Sequence, residues 1–253
     1  MSMTDHKVLE VIDYFYDSNP TEEDLMGLPN PQLDLMRYLL DVLDEYHKGT
    51  GWFDTGELNL YYTNDSTEYP NTPDVLSFRP GIIPLEQQAD LGSWRIAPPN
   101  QMPPSVVIEI ASKGTWEKDI QPQRKPRAYG IMGISEYFAY DPNIPQVWNN
   151  VSTRLLGWRY VDGQAQEIIP NEQGWLWSEE LQSWLVPNTR LLRLHDSEFR
   201  LRFTNYEVQE QAKQMAEARE QAALVEKEKA QAELRKLLER LRQQGIDPDK
   251  FLN

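Results

Sequence analysis

The sequence feature that most constrains the fold is a short apolar run with a glutamate inside it, VVIEIAS, at residues 106–112. Two prolines precede the run, and its length and β-branched residues predict a buried strand. Side chains alternate along a strand, so Glu109 shares one face with Val107 and Ala111, while the other face is wholly apolar and must look into the core. An unpaired buried carboxylate costs on the order of several kcal/mol. Glu109 is therefore expected to face a site with a cation, or solvent.

The rest of residues 32–205 alternates between helix and strand patterns. Apolar residues at three-and-four spacing predict a helix over 32–48, and near alternation predicts one or two strands in GWFDTGELNLYYT and single strands in TPDVLSF and ISEYFAYDP. Asp162 and Gly163 form the strongest hairpin-turn signal. This order predicts a mixed α/β domain.

Three further segments complete this domain. Residues 79–101 are rich in Pro and Gly and predict an excursion from the sheet. The polar segment after residue 112 predicts a helix that Pro122 and Pro126 make irregular at its start. The segment GWLWSEELQSWLVPN is expected to cover the core with Trp175, Trp177 and Trp184.

Composition predicts three parts: an acidic lead-in at 1–31, the α/β domain at 32–205, and a helical extension at 206–253. Residues 206–244 lack Gly and Pro and are rich in Ala, Glu, Gln, Lys and Arg, which predicts one long helix. Leu234, Leu237 and Leu241 form a weak apolar stripe on it. The pattern leaves two interpretations open, a solvated helix or a coiled coil that binds a second copy or a partner protein.

The charge balance is acidic overall and basic in one place. The net charge of −15 argues against nucleic acid as a partner, because phosphates are bound mainly through Lys and Arg. Residues 113–127, however, hold five basic and two acidic side chains, a local excess that a global count hides. The chain has no cysteine, no membrane-length apolar run and no signal-peptide pattern, so a cytoplasmic protein is expected.

Asp74, in TPDVLSF, is the natural partner of Glu109. Two carboxylates on neighbouring strands are the oxygen-rich setting that Mg²⁺ accepts, and with a nearby lysine they can cleave a phosphodiester. A lysine two residues after the glutamate would share its face, but that residue is Ala111. Lys113, further along the strand, or Lys125, from the next helix, could supply the charge.

The same residues have structural interpretations. Asp74 can belong to a simple turn, and Glu109 can be an ordinary salt bridge to Lys113 or Arg127. The basic residues after Glu109 can be a solvated helix face. The three histidines, His6, His47 and His195, have no metal-ligand spacing and are expected to be surface or satisfied residues.

Five motifs in one order resemble a known family. They are GELNLYY, TPDV, VIEIAS, Lys125 with Tyr129, and GISEYFAYDP. Together with the charged tail ending in GIDPDKF, they resemble the restriction-endonuclease family of the Uma type, within the PD-(D/E)XK nuclease superfamily, over about residues 33–194.

The resemblance implies a restriction-endonuclease-like fold, a mixed β-sheet between helices, with Asp74 and Glu109 as metal ligands. It also aligns a family series of site residues with Ser112, Thr115, Asp119, Lys125 and Tyr129. The main-chain carbonyl of Ile110 is expected to join the metal ligands, with Glu57 as a third carboxylate from the strand before Asp74.

The resulting expectation is an endonuclease that uses Mg²⁺ (or Mn²⁺) to hydrolyse DNA phosphodiesters, with Lys125 or Lys113 assisting the attacking water. Two alternatives stay open. One is a catalytically silent scaffold that binds a partner through its C-terminal helix. The other is DNA binding without cleavage, which predicts an affinity that falls steeply with salt.

Overall fold

The structure, a computed structural model, describes residues 31–62, 70–96, 102–149 and 151–244. Nearly all of the predicted acidic lead-in, His6 and the terminal GIDPDKF lie outside these residues. The chain divides into two compact units, Met1–Thr204 and Asn205–Asn253. Among the helices in the described ranges, none combines the length and the apolar character needed to cross a membrane.

The described residues form five helices and eleven strands. The helices are α1 Pro31–His47, α2 Leu85–Gln88, α3 Trp116–Ile120, α4 Lys125–Met132 and α5 Asn205–Gln243. The first six strands are β1 Phe53–Thr55, β2 Asn59–Tyr61, β3 Val75–Phe78, β4 Ser93–Arg95, β5 Val106–Ile110 and β6 Glu136–Tyr140. The last five are β7 Leu155–Val161, β8 Gln164–Glu167, β9 Leu176–Ser178, β10 Ser183–Asn188 and β11 Leu191–His195.

A six-stranded mixed sheet, in the order β1-β3-β5-β6-β7-β8, forms the centre of the first unit. Strands β5 and β6 run parallel, with Glu109 paired to Ala139, and every other neighbouring pair in this sheet is antiparallel. The predicted mixed α/β fold, with a mixed sheet flanked by helices and a long C-terminal helix, is confirmed. Because β5 and β6 are parallel, the segments that follow them leave the same edge of the sheet.

Each face of the central sheet packs against its own apolar layer. Val106, Ile108 and Ile110 face a core that includes α1 and the leucines of β9–β11. Val107 and Ala111 face a second core that contains Tyr129 of α4. Glu109 belongs to the second face and therefore lies inside the protein, between the sheet and α4.

The local patterns were informative about most elements of this unit. The helix expected at 32–48 is α1, and the expected hairpin is β7–β8, with Asp162 at φ 51° and Gly163 at φ 72°. Two positive φ values are what a type I′ turn needs, which explains the Asp-Gly pair. The helix expected after residue 112 is two helices, α3 and α4, because Pro122 lies between them and Pro126 fits the first turn of α4.

A separate three-stranded antiparallel sheet, β9–β11, was not predicted. Its leucines cover the core, but Trp175, Trp177 and Trp184 do not belong to that layer, contrary to the expectation from sequence. Trp177 and Trp184 are cross-strand partners whose rings lie 5.3 Å apart, and Phe199 extends the stack at 5.9 Å from Trp184. Alternation along the strands places Trp177 and Trp184 on the face of this sheet opposite its buried leucines.

Gly157 lies where the central sheet meets this smaller sheet. A β-carbon there would be 2.8 Å from Phe138 Cδ1 and 2.9 Å from Leu176 Cδ1, closer than packed atoms tolerate. We expect Gly157→Ala to lower the free energy of unfolding in urea by about 1–3 kcal/mol. Gly92→Ala is the matched control, because nothing lies within 4 Å of its β-carbon position; an equal loss in both variants would contradict the packing argument.

The described part of the second unit is formed by α5, a 39-residue helix without a buried residue. Met215, Leu224, Leu234 and Leu237 are more than half exposed. The predicted long helix is confirmed, and within the described part of this unit nothing covers its apolar side chains. Isolated helices gain most of their stability from packing, which leaves a role for a binding partner open.

Candidate active site

Glu109 is the centre of a buried cluster on the α4 side of the central sheet. Its side chain is only 4% exposed, and its Oε1 atom lies 2.8 Å from the ammonium nitrogen of Lys125. The hydroxyl of Tyr129 donates a hydrogen bond to the same oxygen. Lys125 and Tyr129 lie one turn apart on α4, so a single helix supplies both partners.

Lys125 joins two carboxylates. Its Nζ atom lies 2.8 Å from Asp119 Oδ1 as well as 2.8 Å from Glu109 Oε1. Asp119, near the end of α3, is 2% exposed, and its carbonyl accepts a 2.8 Å hydrogen bond from the Tyr137 hydroxyl of β6. The sheet therefore holds the junction of α3 and α4 in place, and with it the lysine.

Asp74 directly precedes β3 and reaches across to β5. Its Oδ2 atom accepts a 2.6 Å hydrogen bond from the main-chain nitrogen of Ile110. The carbonyl of Ile110 accepts a 2.9 Å hydrogen bond from the Gln32 side chain at the start of α1. Asp74 and Ile110 are thus joined beside Glu109, as the sequence predicts.

The cluster holds three carboxyl groups and one ammonium group. Burial, followed by the charge of Glu109, raises the pKa of Asp74 well above its usual value. Burial also raises the pKa of Asp119 to about 7, against the opposing effect of Lys125. Burial by itself would lower the pKa of Lys125, but Asp119 and Glu109 raise it, so the lysine stays protonated. Three carboxyl groups thus share one ammonium, and a further cation would be stabilised here.

The raised pKa of Asp74 predicts a pH dependence of stability. An aspartate ionises near pH 4 in the unfolded chain, whereas Asp74 retains its proton to higher pH when folded, so the free energy of unfolding falls as pH rises above about 4. In the absence of divalent metal, we expect a smaller fall in Asp74→Asn, whose amide oxygen can still accept from Ile110. Urea unfolding across this pH range in EDTA measures it.

The control for this pH dependence is Asp90→Asn, which replaces an exposed aspartate of the same unit. Asp90→Asn should follow the wild type at every pH. An identical slope in the Asp74→Asn variant and the wild type would contradict the assignment of the proton to Asp74.

The donor set fits a divalent cation of the Mg²⁺ type. Mg²⁺ is commonly held by one or two carboxylates, with water and substrate phosphate completing its ligands, and Asp74, Glu109 and the Ile110 carbonyl supply such a set. Gln32 occupies one lone pair of that carbonyl and leaves the second. Among the described residues no group of three or more His, Cys, Asp or Glu side chains is placed to hold a metal ion.

Two predicted site residues, Lys113 and Glu57, are exposed rather than buried in the cluster. Lys113 is exposed in the turn before α3 and lines a cavity with Trp116. Glu57 is not on a strand, which corrects the sequence-based placement: it is exposed between β1 and β2 at a φ of 54°, and its main-chain nitrogen donates to the carbonyl of Pro73. The preceding Gly56 explains the turn, because a β-carbon there would lie 2.7 Å from the carbonyl of Asp74.

Glu109, His47 and His195 each have an identified partner. The ion pair of Glu109 is with Lys125, not with Lys113 or Arg127. His47 is buried and bonded at 2.6 Å to Asp54, and His195 Nδ1 lies 3.0 Å from the carbonyl of Phe199, so both are satisfied, as expected.

Glu136 shows how the same sheet satisfies a purely structural carboxylate. It is 1% exposed on β6, next to β5, and its oxygens accept from the Ser178 hydroxyl, two main-chain nitrogens and the guanidinium of Arg159. Glu109, by contrast, has both of its recorded partners on Oε1, and no described residue donates to Oε2. The comparison distinguishes a structural carboxylate from one with an atom left for a ligand.

Sequence reasoning missed Gln32 and the full role of Asp119. Gln32 lies 78 residues from Ile110, and no pattern in the sequence links the two. Asp119 was recognised only through the family series. A usable signal was present: Asp119 and Lys125 lie on either side of Pro122, the residue that interrupts the predicted helix.

Fold and site together define an α/β protein with a carboxylate–lysine cluster at the parallel pair of its central sheet. The family model described as "Uma2: Putative restriction endonuclease" matches residues 29–186, more than half of the chain. The chain therefore belongs to the Uma2 family, which is a nuclease family, and the predicted Uma-type membership is confirmed.

The solved structure of "a putative nuclease belonging to DUF820 from Anabaena variabilis ATCC 29413" is similar at 13% identity, covering 61% of this chain and 75% of that one with a TM-score of 0.40. No curated protein matches. The family assignment rests on the matched family model.

Proposed function

We propose that this protein is a metal-dependent endonuclease that hydrolyses phosphodiester bonds in DNA at the Glu109 cluster. One observation carries the proposal: the largely buried carboxyl groups of Asp74, Glu109 and Asp119 lie around a single ammonium, that of Lys125, in a chain that belongs to the Uma2 family. Burying three carboxyl groups beside one ammonium is costly, because each carboxyl must either stay charged away from water or keep a proton, and a function that recruits a cation explains this cost.

Asp74, Glu109 and the Ile110 carbonyl would hold the ion, with Mg²⁺ or Mn²⁺ as the expected species. When bound, it would supply a Lewis acid that neutralises charge on the scissile phosphate. The Ile110 main-chain nitrogen fixes Asp74 at 2.6 Å, and Tyr129 fixes Glu109, so both carboxylates are positioned before any ligand arrives.

Lys125 would orient the attacking water and stabilise the charge that develops in the transition state. Its ammonium is held at 2.8 Å by two carboxylates and remains protonated, because both raise its pKa. Asp119 acts as a positioning residue, since its contact in the cluster is with the lysine. This arrangement favours Lys125 over Lys113, which lies in the turn before α3.

The proposal assigns residues 32–205 to the nuclease domain and 206–253 to a helical extension, in a cytoplasmic protein. A second candidate function, a silent scaffold that binds a partner or a second copy through residues 206–244, is favoured by α5, in which no residue is buried. It needs no metal, so divalent-ion binding discriminates the two.

The test is cleavage of supercoiled plasmid and of single-stranded DNA with Mg²⁺ or Mn²⁺, using wild type, Asp74→Ala and Glu109→Ala purified identically. We expect the wild type to cleave and both variants to be inactive. Equal cleavage by all three would identify a contaminant, and no cleavage by the wild type with either metal would favour the scaffold.

A further inference from the structure

A cavity of about 450 Å³ is lined in part by Lys113, four residues after Glu109. Its lining comes from two segments, Lys113 and Trp116 after β5 and residues 143–149 after β6. Since β5 and β6 are parallel, both segments leave the carboxyl edge of the sheet, which is where open α/β sheets bind ligands. Lys113 follows Glu109 by four residues, so their α-carbons are at most about 14 Å apart.

The wall formed by residues 143–149 is held by a buried aspartate. Asp141 is 0% exposed, and its Oδ2 atom accepts hydrogen bonds from the main-chain nitrogens of Val147, at 2.7 Å, and Trp148, at 3.1 Å. Its Oδ1 atom accepts from both nitrogens of Asn143. Asn143 also donates to the carbonyl of Ala111, which ties this wall to the end of β5. The cavity is therefore pre-formed.

The cavity combines flat apolar surface with hydrogen-bond acceptors. Trp116 contributes an indole, and Ile144 and Pro145 contribute an exposed apolar rim on which Ile144 is 54% exposed. The side-chain nitrogens of Asn143 and Gln146 donate to protein oxygens, which leaves the amide oxygens of both as acceptors.

The charge at this place is positive. Of the described side chains that line the cavity, Lys113 carries the only charge, and it is basic. These groups match a nucleotide: its base can lie against the apolar surface and donate hydrogen bonds to the amide oxygens, and its phosphate can pair with the ammonium. A base inside a duplex cannot enter such a slot, because its faces are stacked and its edge is paired.

We propose that this cavity binds one unpaired nucleotide of the DNA strand whose phosphate lies at the Glu109 cluster, so that the enzyme prefers single-stranded or locally unpaired DNA. The base lies against Trp116, Ile144 and Pro145, and Lys113 contacts a flanking phosphate. This inference rests on the proposed function for the identity of the neighbouring site, but the binding itself needs no metal.

The test is fluorescence anisotropy of labelled single-stranded DNA and of the same sequence as a duplex, with the full-length protein in EDTA. We expect tighter binding of the single strand, and about tenfold weaker binding of it by Ile144→Asp and by Lys113→Met. Ile169→Asp and Lys48→Met are matched controls, because these side chains are 87% and 67% exposed outside the cavity; both should bind as the wild type does.

A second readout is the fluorescence of Trp116 itself. Bound single strand should quench part of the tryptophan emission, and Trp116→Phe, which keeps an aromatic ring, should lose that part while the protein stays folded.

Three results would overturn the inference: no binding of single strands by the wild type, equal affinity for the two forms of DNA, or cavity variants that bind like their controls. Each is distinct from failure of the nuclease. If the wild type cleaves DNA and the cavity variants bind single strands as well as their controls do, the cavity proposal is wrong and the nuclease proposal stands. If the expected binding pattern is found but no metal supports cleavage, the cavity proposal stands and the nuclease proposal is wrong.

Discussion

Replacing Lys125 with methionine is expected to lower the rate of DNA cleavage at saturating substrate by about 10²–10³-fold. The ammonium carries the positive charge nearest to Glu109, at 2.8 Å, and methionine keeps an unbranched apolar stem without it. Lys113→Met should leave this rate within a fewfold of wild type and raise the substrate concentration needed to reach it. Single-turnover cleavage at several DNA concentrations separates the two effects.

A chemical rescue controls for misfolding in this experiment. The chain has no cysteine, so Lys125→Cys introduces a single thiol, and alkylation with bromoethylamine rebuilds a lysine-like side chain at that position alone. Activity that returns on alkylation shows that the charge was missing. Full activity of Lys125→Met, or of unalkylated Lys125→Cys, would contradict the role given to this residue.

The largest effect on stability is expected at Glu136 rather than at Glu109. Glu136→Ala removes the acceptor of a buried hydroxyl, two main-chain nitrogens and Arg159, and should lower the free energy of unfolding by about 3 kcal/mol or more. Urea denaturation measures it. Glu167→Ala, at an exposed glutamate of β8, is the matched control and should change stability by less than about 0.5 kcal/mol.

The two buried glutamates therefore make opposite predictions. In EDTA, Glu109→Gln should be no less stable than the wild type, because it removes one of three carboxyl groups that crowd one lysine. A large loss of stability in Glu109→Gln together with none in Glu136→Ala would reverse the assignment of structural and functional carboxylates.

Local patterns were enough to predict the elements on which the site is built. The VVIEI run predicts a buried strand with Glu109 turned away from one apolar face, and the position of Asp74 at the start of an earlier strand makes it the natural partner. The Asp-Gly pair predicts the hairpin because few other pairs tolerate two positive φ values. These are properties of a few neighbouring residues, so the sequence carries them directly.

Contacts between distant segments could not be predicted in the same way. The choice between Lys125 and Lys113 depends on the angle at which α4 returns to the sheet, and Pro122 and Tyr137 set that junction through contacts that no local pattern encodes. Gln32 lies on α1, which packs on the face of the sheet opposite the Glu109 side chain, and it bonds to Ile110 from there. The β9–β11 sheet was missed because its tryptophans suggested a core layer, whereas its leucines form that layer.

The most direct test of the central claim is a calorimetric titration of Mn²⁺ into the metal-free wild type and Glu109→Gln. If Glu109 lies in an apolar strand in order to hold a cation, the wild type binds Mn²⁺ at a site that Glu109→Gln lacks. Glu136→Ala, tested under conditions in which it stays folded, keeps that site. Identical Mn²⁺ binding by the wild type and Glu109→Gln, or no binding by either, would contradict the account.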